Sequence, residues 1–271
     1  MNIRFDGKVA VVTGGAMGIG EATARKLAEL GAAVALLDFN FGAGTKTAQS
    51  IVDAGGKCTC FACDVSDSKQ VESAIAGVVA HFGGIDVLVS NAGIQAYGDV
   101  VSTSEELWDK VLGINLKGCF LVSKFAVPAM MKRKGGAIVV VGSVQSMTAI
   151  GGSAAYVTAK HGLLGLTRAM ALDYAKNGIR VNCVCPGTVD TPMLQWAAGL
   201  DPNPQKVLET CARMHPVGRI AKPSEIADAI AYLASDWASF ITGAALLVDG
   251  GMLVPAGGMG FQDGGTGAAT R

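Results

Sequence analysis

Seven short apolar runs recur along the chain, and their texture constrains the fold more than any other feature. They span Lys8 to Thr13, Ala33 to Asp38, Lys57 to Cys63, Ile85 to Ser90, Ala137 to Gly142, Ile179 to Cys185 and Ala245 to Val248. Within them AVV, DVLV, AIVVV and ALLV are nearly continuous in apolar residues. A strand with one face in water alternates apolar with polar; a strand buried on both faces does not. Between the runs, segments such as Gly20 to Leu30, Ser68 to His81, Glu105 to Met131 and Tyr156 to Tyr174 carry apolar residues at helical spacing. Strands alternating with helices imply a parallel sheet covered on both sides. The expected fold is α/β: one doubly wound, Rossmann-type, seven-stranded parallel sheet. No composition break marks a linker, so residues 1–254 read as a single domain. The stretch Pro255 to Arg271 is rich in glycine and poor in large apolar groups, and reads as a loose tail or an arm ordered against another subunit.

Charge narrows the partners. The 22 basic residues balance 22 acidic ones, so no long-range field draws in nucleic acid or an anionic membrane. Small molecules are the expected partners. The segment Met1 to Lys8 lacks the charged-then-apolar layout of a secretory signal, which makes the cytoplasm the expected location. No charged residue falls between Lys134 and Lys160, a span long enough to cross a bilayer. Serines, Gln145, Thr148 and several glycines interrupt it, so it reads as a buried strand, a loop and a helix start.

The cysteines number seven, and an odd count argues against a complete disulfide framework. Cys60 and Cys63 have C-x-x-C spacing but lie in a strand-like run, where residues three apart point to opposite faces. They read as small buried hydrophobes. His81, His161 and His215 show no ligand spacing with the cysteines and read as ordinary surface or helix residues. No metal is expected.

The first strand runs into Thr13-Gly14-Gly15-Ala16-Met17-Gly18-Ile19-Gly20 and then into a helical pattern, the setting of a dinucleotide-binding turn. Glycines permit the turn and let backbone approach a pyrophosphate, whose charge sits against the helix N-terminus. The second strand ends at Asp38, about 20 residues on, where a carboxylate can accept hydrogen bonds from ribose hydroxyls. Its charge would repel a 2′-phosphate, and neither the turn nor Phe39 and Asn40 offers a cation to pair with one. NAD is therefore expected in preference to NADP.

Tyr156 and Lys160 stand four apart at the start of a helical segment and project from one face. An ammonium held near a phenol stabilises the phenolate, which suits the pair to proton transfer.

Thr13 to Gly20, Asn91-Ala92-Gly93, Asn115, Ser143, the Tyr156 and Lys160 pair and Pro186-Gly187 together resemble, in order and spacing, the short-chain dehydrogenase/reductase family. The resemblance runs from Gly7 to Gly251, with no departure at a catalytic position. It implies Tyr156 as acid/base, Lys160 as the residue that holds the nicotinamide ribose, Ser143 as a donor to the reacting oxygen and Asn115 as support for a water-mediated proton path. It further implies cofactor contacts from Gly14, Met17, Gly18, Ile19 and Gly20 at the turn, and from Asp64 and Val65 beside the adenine. Asn91, Ala92 and Gly93 would lie under the ribose, and Pro186, Gly187, Val189 and Thr191 around the nicotinamide. Relatives commonly form tetramers through the long helices after the fourth and fifth strands and through the last strand, so a homotetramer is expected by analogy.

Substrate walls in the family follow Ser143 and Pro186, which here offers Gln145, Met147, Met193, Leu194, Trp196 and Met214, with Gln95 and Tyr97 from the fourth-strand loop. Lys206 and Arg213 are the only basic residues in the second segment, which favours a neutral polyol, sugar or alcohol. Against this, residues 181–194, VNCVCPGTVDTPML, resemble the matching stretch in hydroxy-acid and sugar-acid dehydrogenases of the family. Two other classes compete: a non-catalytic nucleotide-sensing scaffold, against which the intact Tyr156, Lys160, Ser143 and Asn115 argue, and a sugar-nucleotide epimerase, which usually carries a larger C-terminal lobe.

Overall fold

Alternate residues of each central strand enter different cores, and this organises the molecule. In the computed structural model, which describes residues 3–254, Val9 and Val11 pack into one apolar cluster and Ala10 and Val12 into another. Ala35 and Leu37 part from Val34 and Leu36 in the same way. Period-two geometry sends successive side chains to opposite faces, and here both faces are covered. The tail from Pro255 to Arg271 lies outside the described residues.

The strands are β1 (Val9–Thr13), β2 (Ala33–Asp38), β3 (Lys57–Ala62), β4 (Val87–Ser90), β5 (Gly136–Val141), β6 (Ile179–Pro186) and β7 (Ala245–Val248). They form one seven-stranded sheet in the order β3-β2-β1-β4-β5-β6-β7, every pair parallel. The direction of winding reverses between β1 and β4, the switch point at which open α/β sheets bind ligands.

The helices are α1 (Gly18–Glu29), α2 (Phe41–Asp53), α3 (Ser68–Phe82), α4 (Glu105–Leu112), α5 (Gly118–Lys132), α6 (Ala154–Tyr174), α7 (Pro192–Ala198), α8 (Pro204–Arg213) and α9 (Pro223–Ala234). Buried residues of α3, α5 and α6 fill one face of the sheet. Those of α1, α2 and α9 fill the other. Sequence periodicity treats Glu105 to Met131 as one helix, but a π-helical turn, Gly113–Lys117, interrupts it. Its wider i→i+5 closure carries Asn115, and such turns are frequent at functional sites. By length and composition alone Glu105–Lys132 is apolar enough to span a membrane, with mean hydropathy 1.3, yet half of it is buried in the protein and α5 packs on β4. The uncharged stretch before Lys160 forms β5, a short 3-10 turn and the start of α6, as its interrupted pattern implies.

Cys58 and Cys60 pack toward the α1/α2 side while Cys63 joins the opposite core, so C-x-x-C spacing does not bring the two thiols together. Burial pushes the Cys58 and Cys63 thiols up to about 12 and the Cys60 thiol up to about 11. Among the described residues no group of three or more His, Cys, Asp or Glu could hold a metal ion.

Candidate active site

The glycine turn is tied to β4 by a hydroxyl. Thr13, 1% exposed at the end of β1, accepts hydrogen bonds from the Asn91 amide at 2.9 Å and the Ala92 amide at 3.0 Å. The Asn91 side-chain nitrogen returns bonds to the Thr13 and Gly14 carbonyls at 3.0 and 3.1 Å. Asn91 therefore holds the turn itself, whatever it offers a ligand, and Thr13 is a contributor that the glycine pattern does not reveal.

Two glycines in the turn have reasons that can be named. Gly14 adopts φ 62°, a conformation that side chains rarely take. A Cβ on Gly20 would run into the Gly14 carbonyl oxygen and stand 2.6 Å from the Asn91 side-chain nitrogen. Met17, the N-cap of α1, makes no side-chain cap, whereas α2, α3, α4, α7 and α8 are capped by Asn40, Asp67, Ser104, Thr191 and Asn203. The first amides of α1, from Gly18, Ile19 and Gly20, therefore have no side-chain cap, which leaves them for an anion such as a pyrophosphate.

Asp38 closes this end. Its carboxylate accepts from the Ala16 amide at 2.9 Å and the Asn40 amide at 2.8 Å, which orients it at the rim of the turn. Asp64 accepts from the Ser66 amide and hydroxyl at 2.9 and 2.7 Å, so one carboxylate oxygen stiffens its own loop, and Val65 beside it is buried.

At the other end, Ser143 follows β5 in extended conformation, and its Oγ accepts from the Gln145 amide at 3.1 Å. Tyr156 and Lys160 lie in the first turns of α6, which packs on the 3-10 turn after Ser143. Lys160 is 5% exposed, its Nζ donates to the Val141 carbonyl at 2.9 Å, and the same ammonium stands 5.5 Å from the centroid of the Tyr156 ring. Both side chains are thereby held against the end of β5. Asn115 is 2% exposed; its amide accepts from the Ile94 backbone at 2.8 Å and donates to the Ile94 carbonyl at 2.9 Å.

The loop after β6 joins the two ends. Thr191 Cγ2 lies 3.3 Å from where a Gly18 Cβ would be, so residues 186–191 meet the glycine turn directly. Val189 is buried, and Ala221 donates to the Thr188 carbonyl at 3.0 Å. Beyond the loop, Trp196 on α7 stacks on Tyr97 at 6.2 Å between centroids and 17° between planes. Burial pushes the Tyr97 phenol up, with Cys211 and Tyr156 acting in the same direction. Met193, Met147 and Met214 are partly exposed, and the buried Gln145 Oε1 has no hydrogen-bond partner. Lys206 and Arg213 sit on exposed α8, and Arg213 bonds Thr210.

His81 and His161 are exposed helix residues, as their sequence setting suggests. His215 is not: it is 3% exposed, lies beyond the end of α8 and is bonded at both ring nitrogens. The signal that could have marked it is Pro216, because the residue before a proline is turned away from helix and into a loop.

A family model described as enoyl-(acyl carrier protein) reductase matches residues 14–253. Cis-4-hydroxycyclohexanecarboxylate dehydrogenase of Sinomonas cyclohexanicum is 45% identical over 252 residues, covering 93% of this chain and 98% of that protein. The crystal structure of levodione reductase superposes with a TM-score of 0.91 at 35% identity, covering 93% of this chain and 100% of the other. Aldohexose dehydrogenase of Thermoplasma acidophilum gives 0.85 at 39% identity, covering 94% and 98%.

Proposed function

The chain belongs to the short-chain dehydrogenase/reductase family, oxidoreductases that act on CH–OH groups with a nicotinamide cofactor, and from that premise we propose that it transfers hydride between NAD(H) and a secondary alcohol or ketone of a small neutral polyol or sugar-like ring. The observation that carries the reading is the buried cluster at the end of β5, in which Lys160 Nζ is fixed between Val141 O and the Tyr156 ring.

In alcohol oxidation the bound nicotinamide ring supplies the hydride acceptor. Tyr156, as the phenolate, takes the hydroxyl proton and becomes a neutral phenol, with the Lys160 ammonium beside its ring. An ammonium has three donors; Val141 uses one, leaving two for the nicotinamide ribose. Ser143 accepts from Gln145, so its own hydrogen is left to donate to the reacting oxygen. The Asn115 carbonyl, in the widened turn, receives the water that relays protons outward. Gly14, Met17, Gly18, Ile19 and Gly20 hold the pyrophosphate, Asp38 the adenosine ribose, Asp64 and Val65 the adenine edge. Asn91 to Gly93 line the ribose, and Pro186, Gly187, Val189 and Thr191 bound the nicotinamide. Residues 1–254 act as one unit.

The Tyr97 and Trp196 pair, with Met193, gives a flat apolar wall suited to the C–H face of a ring, while Gln145 Oε1 accepts from a further hydroxyl. Two relatives, an aldohexose dehydrogenase and a hydroxycyclohexanecarboxylate dehydrogenase, support a ring alcohol by what they are named for. The second name also favours a hydroxy acid as the alternative. Assembly into a homotetramer is supported by a groove between α5 and α6, walled by Phe120, Val127, Met131, Leu166 and Ala169, that a second copy can fill. Cytoplasmic placement agrees with seven cysteines, all free.

NADH absorbance with a panel of cyclic alcohols, polyols and hydroxy acids tests the reading. Turnover on ring alcohols that falls by several orders of magnitude in Tyr156→Phe, with NADH binding retained, is expected. Undiminished turnover in that variant would remove Tyr156 from the chemistry, and a preference for hydroxy acids would select the alternative.

A further inference from the structure

His215 ties the end of α8 to the two loops that follow the paired strands β6 and β7. Its Nδ1 lies 2.6 Å from the Asp249 carbonyl oxygen, just past β7, and its Nε2 accepts from the Thr188 amide at 3.2 Å, in the loop after β6. A carbonyl can only accept and a backbone amide can only donate, so the ring is neutral with its hydrogen on Nδ1. The imidazole lies against Gly187, where any Cβ would strike it, and a Gly250 Cβ would stand 3.4 Å from the His215 Cβ. Gly187 donates to Val248 at 3.1 Å, so one side of this loop already hangs on the end of β7. His215 braces the next residue and links both to the end of α8.

The charged and titratable groups around the ring are otherwise occupied. Both Asp249 carboxylate oxygens accept backbone bonds, from Gly251 and Leu253 at 2.9 Å each. Arg219 and Glu225, across the neighbouring cleft, pair bidentately at 2.7 Å, and burial raises the Cys211 thiol near Thr188. None competes for Nε2.

We propose that His215 is a positioning residue: through Nε2 it fixes the Thr188 amide, and with it the loop of residues 186–191 against which the nicotinamide end of the coenzyme rests. The inference depends on the coenzyme reading above, and its test separates the two. Two near-isosteric amides split the roles of the ring. In His215→Gln the amide oxygen reaches the Nε2 position and can accept from Thr188; in His215→Asn the shorter amide can reach only the Asp249 side. NADH fluorescence titration should give a dissociation constant within about threefold of the parent for the glutamine variant and about tenfold weaker for the asparagine variant, a difference of ~1.4 kcal/mol. Steady-state kcat at saturating coenzyme should differ by less than about threefold between them, because the loop acts in binding. A residue that served stability alone would shift melting temperature in both without this split. Equal NADH affinities in the two variants overturn the proposal. So does a parent protein that binds NADH while ¹⁵N spectra of the His215 ring report hydrogen on Nε2, a measurement that needs no variant to fold. If the parent fails to bind NADH while the ring shows the Nδ1–H form, the coenzyme reading itself falls and the positioning role falls with it.

Discussion

Removing the charge at Asp38 is the perturbation whose size can be worked out from the structure. The carboxylate sits at the end of β2 with one oxygen on Ala16 N and the other on Asn40 N. Asparagine would turn an amide N–H toward one of those donors, so serine is the cleaner replacement. The 2′-phosphate of NADP carries roughly −1.5 to −2 charges. At about 5 Å its repulsion from a carboxylate is roughly 1.5 kcal/mol in water and about 6 kcal/mol at the effective dielectric near a protein surface. Asp38 is half-buried and salt screens the rim, so about 2 kcal/mol is the reasonable figure. For NAD, loss of a ribose bond to a charged acceptor costs about 1.5 kcal/mol or more. Loosening of Ala16 affects both coenzymes and cancels in their ratio. Asp38→Ser should therefore move the ratio of kcat/KM for NAD over NADP by about 3.5 kcal/mol, roughly between two and three orders of magnitude, toward NADP. Steady-state kinetics with both coenzymes reads it directly. A ratio unchanged within threefold would mean the ribose is recognised elsewhere.

Three further outcomes follow from the geometry. Gly20→Ala should weaken NADH binding more than tenfold and lower the melting temperature, since the new methyl forces apart the Gly14 carbonyl and Asn91 at a cost of about 1–3 kcal/mol; unaltered binding would show that the turn does not cradle the coenzyme. Native Cys58, Cys60 and Cys63, held with thiols near 11 to 12, should label with a disulfide reagent at pH 8 more than about a hundredfold slower than in the denatured chain, and site-resolved mass spectrometry that found a fast Cys60 or Cys63 would contradict the packing. Ala169→Glu, on the exposed edge of the α5/α6 groove, should yield a smaller species by light scattering with the fold intact by circular dichroism; an unchanged mass would put the assembly contact elsewhere.

What the sequence makes legible follows from which constraints are local. β2 and β7 agree residue for residue with their apolar runs, and the other strands shift by one or two positions, because burial on both faces leaves an unbroken apolar signature. The helix α2 carries two glycines in FGAGTKTAQSIVD and buries only Gly44, Thr47, Ala48 and Ile51, too thin a stripe for periodicity to declare. The short helices α7 and α8 are better announced by a proline in the first turn, at Pro192 and Pro204, than by any apolar face, whereas α9 shows both Pro223 and a buried apolar stripe. The π turn at Asn115 was invisible because one inserted residue shifts the helical phase without interrupting the apolar pattern on either side. His215 was misread for a different reason. Nothing near it in sequence reveals its partners, since Thr188 and Asp249 reach it only once β6 and β7 are paired.

The two halves of the site are built by different means, and perturbations should therefore separate. At the switch point between β1 and β4 the coenzyme end consists of backbone: glycines whose missing side chains make room, an uncapped helix start, and Thr13 locking Asn91 and Ala92 in place. Changes there act sterically and fall on coenzyme affinity. The proposed reacting end consists of side chains, Ser143 bonded to its following turn, Lys160 bonded to the end of β5, and Tyr156 beside the Lys160 ammonium. Changes there remove a proton donor or a charge and fall on turnover. The loop from Pro186 to Thr191 touches Gly18 on one side and leads to Trp196 on the other, so it links the two halves. His215 and Val248 hold this loop through the Thr188 and Gly187 amides.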